Sequence, residues 1–283
     1  MSTRFGLTDW RSMSQDERDR GLNNGLAVAG SGEIVAGWDQ QSAELRARYP
    51  AHLDLRYGPR ERNWIDFLKA ADRGPTLVFI HGGYWQARAK ESFTLFAGGP
   101  MAHGINVALF GYTLAPDATL DEIVAEIHAG LDFLVERLPA LGGDAERIVV
   151  TGWSAGGHLA SMALRHPQVK AGMAISGIYD LEPIRHSYLN AKLGLDAAMS
   201  LRNSPLMQPG GAAVPLSLAV GSAELPLLRR QTADFAAHRA SHGLPVTYEE
   251  IAGADHFSIM DQLASPSGRI TTLIRQLFER ASG

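Results

Sequence analysis

The 283-residue chain has no cysteine. That absence removes disulfide frameworks, thiolate nucleophiles, iron–sulfur clusters and Cys-ligated zinc together. It leaves the redox compartment open, because a chain without thiols fits any of them. An excess of one charge is also missing: 26 Lys and Arg against 30 Asp and Glu give a formal net charge of -4. Such a balance provides no electrostatic reason to bind nucleic acid or an anionic membrane. No repeat, low-complexity tract or Gly/Ser-rich linker divides the sequence. A bilayer-crossing run is lacking too. The longest stretch without Asp, Glu, Lys or Arg, residues 92–116, contains Gly98, Gly99, Pro100, Gly104 and Gly111, which break a spanning helix. The first residues, with Arg4, Asp9 and Arg11, lack the apolar segment of a secretory signal, so a cytoplasmic protein is expected.

What is present is 45% hydrophobic residues in a chain long enough to bury a sizeable core. Short apolar runs at 76–80, 107–110, 147–151, 171–175, 216–220 and 246–250 are bounded by Gly, Pro or polar turns, as expected of strands covered on both faces. Helical patterns alternate with them. Thr119 and Glu122 form a capping-box signature, and Ile123, Ile127, Leu131, Leu134 and Leu138 then mark one apolar face. Residues 234–242 and 270–281 read as later helices. This alternation predicts an α/β fold: a mostly parallel sheet with helices on both faces. Residues 52–57 and 63–68 read as an antiparallel hairpin. Residues 1–50 read as a small helical cap on a single domain spanning 1–283, and 177–210 as an insertion that helps form a substrate pocket.

The chemistry centres on Gly152-Trp153-Ser154-Ala155-Gly156, which follows an apolar run and precedes a helical stretch. Strand, sharp turn and helix are the context of a nucleophile elbow. A serine is a weak nucleophile and needs a base, with a third group to orient that base. His256 follows the last expected strand and Glu224 the strand before it, giving the chain order nucleophile, acid, base. All three fall at carboxyl ends of expected parallel strands, where open α/β sheets place their sites. Asp255 is a rival for the acid role, but adjacent residues usually point apart, so Glu224 is preferred. His238 and His242 lie one helical turn apart, a metal-ligand spacing. The residues between them read as solvated helix, so no metal or other cofactor is expected.

His81-Gly82-Gly83-Tyr84-Trp85 follows the strand at 76–80. Glycines there let bare N–H groups approach a tetrahedral oxyanion, so Gly82 and Gly83 are expected to act with the N–H of Ala155. Tyr84 and Trp85, beside the nucleophile, are either core packing or, the preferred reading, pocket walls suited to a flat aromatic substrate, with Trp153 and Tyr179 completing the expected pocket.

Taken together, HGGYW, GWSAGGHLA at 152–160, SGIYDLEPI at 176–184, RNSPL at 202–206 and GADHF at 253–257 resemble the kynurenine formamidase (arylformamidase) group of α/β-hydrolases. Its wider relatives are the hormone-sensitive-lipase-like carboxylesterases. The resemblance covers roughly residues 50–280. It implies an α/β-hydrolase fold and metal-free removal of formate from N-formyl-L-kynurenine through a Ser–acid–His triad. The nucleophile carries to Ser154, the base to His256, the acid to Glu224 and the oxyanion donors to Gly82, Gly83 and Ala155. Two departures stand out: Trp153 replaces the small or polar residue that commonly precedes the nucleophile, and Glu224 stands where many members have Asp. The expected partner is a small aromatic amide or ester, with a second copy of the chain as a homodimer left open. Two other readings share the fold: a general short-acyl carboxylesterase, and a catalytically inactive binding protein.

Overall fold

A computed structural model describes residues 9–208 and 212–281. Eight strands form one sheet: β1 (Leu55–Arg56), β2 (Trp64–Leu68), β3 (Gly74–Ile80), β4 (Asn106–Phe110), β5 (Gly143–Trp153), β6 (Val169–Ile175), β7 (Leu216–Gly221) and β8 (Val246–Ile251). Their spatial order is β1-β2-β4-β3-β5-β6-β7-β8. The first two pairings, β1 with β2 and β2 with β4, are antiparallel, and the rest are parallel. All six expected parallel strands are present. The expected hairpin is shorter than its sequence pattern, with only Leu55↔Ile65 and Arg56↔Trp64 in register.

Both faces of the sheet are covered, and the period-two alternation of a strand decides which side chain goes where. Val78 and Ile80 of β3 face a layer containing Ile123, Ile127, Leu131 and Leu134, while Leu77 and Phe79 face the opposite layer with Trp38, Phe93 and Phe96. The main helices are α1 (Ser31–Ala47), α2 (Leu120–Leu141), α3 (Ala155–Ala163), α4 (Pro226–Ser241) and α5 (Arg269–Ala281). The capping box of α2 forms as expected: Thr119 accepts from the Glu122 N–H and Glu122 accepts from the Thr119 N–H. Helix α4 begins eight residues before the expected 234, because Pro226 occupies its first turn, where its missing N–H costs nothing.

The N-terminal helices pack directly on the sheet domain. Val35 and Trp38 of α1 are buried among the sheet's aromatic side chains, and Ser42 Oγ donates to the carbonyl of Ser92 at 2.9 Å. Arg46 of the same helix pairs with the fully buried Asp66 of β2 at 2.9 Å. Lys90 Nζ, also buried, reaches Asp54 and Asp66 at 2.8 Å each. This charge network pins α1 beside the loop that leaves β3. Among the described residues, no helix is long and apolar enough to cross a membrane.

Candidate active site

The carboxyl ends of β3, β5, β6, β7 and β8 deliver His81, Ser154, Ser176, Glu224 and His256 to one edge of the sheet. Ser154 stands between β5 and α3 with φ 58° and ψ -121°, a strained backbone held by a 2.8 Å bond from its N–H to the carbonyl of Ile175. The flanking glycine requirement is steric. A Cβ on Gly156 would lie 1.9 Å from the backbone oxygen of Ile80, so β3 and α3 approach closely only because that atom is missing. Ser154 is buried apart from the face it turns to a cavity of 260 Å³, and His256 lines the same cavity.

His256 Nδ1 lies 2.7 Å from Glu224 Oε2 in a buried contact. The other Glu224 oxygen accepts from the Gly221 N–H at 2.7 Å and from the hydroxyl of Ser176. A carboxylate so supplied with donors is fixed in place. Ser176, with φ 51°, is not among the expected site residues; its signals are its place immediately after β6 and at the head of the 176–184 motif. Asp255 faces elsewhere and accepts from the N–H groups of Phe257 and Ser258, capping the turn after His256.

The loop after β3 begins at His81, whose ring is fully buried and stacked on Tyr112 at 4.3 Å. The Tyr112 hydroxyl donates to the His81 carbonyl at 2.9 Å. Burial pushes the His81 imidazole down to about 3, so it is a neutral anchor. At Gly82 a Cβ would sit 2.7 Å from the Trp153 carbonyl oxygen and 3.1 Å from Ser154 Cβ, which brings the glycine backbone against the nucleophile candidate. Among the described residues the N–H groups of Gly82, Gly83 and Ala155 have no acceptor.

Of the aromatic residues expected in the pocket, the structure places two there. Tyr84 lines the cavity, its hydroxyl bonded to the Leu22 carbonyl and to Asn24, and Trp153 forms part of the floor. Trp85 and Tyr179 do not. Tyr84 (φ 50°) and Trp85 (φ 57°) sit in consecutive left-handed turns that send Trp85 into the core, edge-on to His158 at 5.0 Å and fully buried. Tyr179 stacks on Phe235 of α4 at 4.5 Å, also fully buried. Among the described residues of the 177–210 segment, only Tyr188 reaches the cavity. Asn23, Asn24, Ser31, Gly32 and Arg88 also line it. None of these was expected, because the approach of the N-terminal helices is set by tertiary packing. His238 of α4 and His242, its C-cap, have rings 4.3 Å apart. The one grouping of three ligating side chains among the described residues is Asp54, Asp66 and Glu91, each already paired to Lys90.

The BD-FAE family model matches residues 67–182. A kynurenine formamidase from Danio rerio is 27% identical across 97% of this chain and all of that protein, and one from Drosophila melanogaster is 23% identical across 84% and 85%. Among solved structures, a candidate thioesterase from a Silicibacter species superposes with TM-score 0.83 at 26% identity, covering 92% of this chain and 99% of that one. An esterase from Pyrobaculum calidifontis superposes with TM-score 0.72 at 18% identity, covering 96% of this chain and all of that one. The fold is therefore that of the α/β-hydrolases. The chain is similar along its length to kynurenine formamidases, and it is a hydrolase.

Proposed function

We propose that the chain is a serine hydrolase that releases formate from N-formyl-L-kynurenine, with Ser154 as nucleophile, His256 as base and Glu224 as the acid that orients it. The supporting observation is the buried 2.7 Å contact of Glu224 with His256 Nδ1 on the wall of the cavity that Ser154 also lines. A carboxylate at Nδ1 keeps the proton there and leaves the Nε2 lone pair free.

In this reading, Ser154 Oγ attacks the formyl carbon as its proton passes to His256 Nε2. The carbonyl oxygen becomes an oxyanion facing the free N–H groups of Gly82, Gly83 and Ala155. The C–N bond breaks and His256 returns the proton to the departing aryl amine nitrogen. Water then enters, giving one proton to His256 as it attacks the formyl carbon; the C–Oγ bond breaks, His256 returns that proton to Ser154 Oγ, and formic acid leaves and ionises to formate. Formyl needs almost no acyl pocket, so the cavity is available to the aromatic leaving group, beside Tyr84, Trp153, Tyr188 and Phe257.

Steady-state kinetics on N-formyl-L-kynurenine, formanilide and p-nitrophenyl acetate test the assignment. It predicts the highest kcat/KM on N-formyl-L-kynurenine. A strong ester preference with negligible deformylation would instead indicate a short-acyl carboxylesterase, and failure of Ser154 to react with a fluorophosphonate would indicate a binding protein.

A further inference from the structure

The cavity beside Ser154 is walled by amide, hydroxyl and aromatic groups, and by one permanently charged side chain, Arg88. No aspartate or glutamate lines it. Elsewhere the arginines are commonly neutralised: Arg46, Arg60, Arg185, Arg202 and Arg269 each sit within 4.0 Å of a carboxylate. Among the described residues Arg88 has no such partner.

Its backbone is nevertheless fixed. Arg88 holds φ 77°, a left-handed conformation that is unfavourable for a residue with a Cβ. Its carbonyl accepts from the Arg62 guanidinium, which also donates to the carbonyl of Tyr112 at 3.1 Å. The Arg88 side chain leaves along Gly83: its Cγ lies 3.0 Å from where a Gly83 Cβ would stand. The glycine therefore makes room for the backbone of Ala87 and for the stem of the arginine. The backbone that carries the exposed Arg88 side chain and the N–H groups of Gly82 and Gly83 belong to one short loop.

We infer that Arg88 is the specificity-determining contact for a carboxylate on the leaving-group side of the substrate. The preferred substrates are then aryl amides or esters whose aryl part carries an acidic tail. A guanidinium matches a carboxylate in bidentate geometry, and in a cavity without competing acids that attraction is directed to the ligand. The inference rests on the cavity being the site of hydrolysis, as proposed above, but not on the formyl group.

The test compares substrates that differ only in the acid. One pair is N-formyl-L-kynurenine and its decarboxylated amine analogue; the other is an aryl acetate with and without a carboxylate on the aryl chain. Arg88→Gln is expected to lower kcat/KM on the acid-bearing member of each pair about 10-fold, chiefly through KM, and to leave the ratio between members near one. Arg88→Lys should recover part of the preference. Arg275→Gln, at an exposed position of α5 outside the cavity, serves as the surface-charge control and should change neither member. The wild-type preference should also shrink as salt is raised. Equal loss on both members, or an unchanged ratio, would overturn the role of Arg88. If the wild type fails to deformylate N-formyl-L-kynurenine, the proposed reaction fails while the acetate pair still decides Arg88.

Discussion

The indole Nε1–H of Trp153 donates to the backbone carbonyl of His256 at 2.8 Å, and the two rings lie 4.8 Å apart. The residue before the proposed nucleophile thus holds the loop of the proposed base. Trp38 of α1 meets the same indole edge-on at 5.4 Å, and Phe257 closes on it at 5.9 Å. Trp153 is a positioning residue in this arrangement. Trp153→Phe keeps the apolar bulk but leaves the His256 carbonyl without its donor, a loss of about 1–3 kcal/mol for a buried group. We expect kcat to fall roughly 10-fold with KM within about twofold, which corresponds to 1.4 kcal/mol at the transition state. A change in KM alone would contradict a role in placing His256.

Glu224 and Asp255 offer a direct comparison. Glu224→Gln removes the charge facing His256 Nδ1 and permits the wrong imidazole tautomer, so kcat should fall by about 10³–10⁴-fold. Asp255→Asn leaves that contact intact and disturbs only the cap over Phe257 and Ser258. Its kcat should stay within a few-fold of wild type, with some loss of thermal stability. Circular dichroism melts beside steady-state kinetics separate the two effects.

Gly82→Ala tests the oxyanion loop. The added methyl would meet backbone at Trp153 and Ser154 Cβ, so the loop itself must shift. Losing one aligned N–H donor typically costs 10²–10³-fold in kcat. The folded protein should still melt cooperatively, and kcat should carry the loss.

His158 provides a pH dependence of stability. Burial lowers its pKa from 6.5 to about 4, while its Nε2 faces the carbonyl of Asn203 at 2.7 Å. The unfolded chain binds this proton more readily, so the stability that the neutral ring provides is present above 6.5 and is lost as pH falls towards 4. Between pH 7.5 and pH 5 the loss is about 2 kcal/mol for this group. Urea unfolding at the two pH values should show a smaller difference in His158→Gln, which keeps a donor for Asn203 but does not titrate.

Much of this arrangement was legible in the sequence because it is local. The glycines around Ser154, the capping box at Thr119 and the apolar runs of the strands each act within a few residues of themselves. The placement of Glu224 and His256 followed from strand ends, which is topology rather than contact. Failures came where direction or long-range packing decides. HGGYW does not reveal that two successive left-handed residues turn Tyr84 to the cavity and Trp85 to the core. Tyr179 lies in a motif that resembled its relatives, yet Phe235 of α4 claims its ring. Arg88 and Asn24 join one cavity although 64 positions of chain separate them, and α1 brings them together through Trp38, Ser42 and Arg46.

The central claim is that Ser154 is the nucleophile, and intact-mass spectrometry after treatment with a fluorophosphonate tests it most directly. One adduct per chain on the peptide containing Ser154, formed in proportion to loss of turnover and missing in Ser154→Ala, is the predicted result. Wild-type turnover in the fully labelled protein, or near wild-type activity in Ser154→Ala, would contradict it.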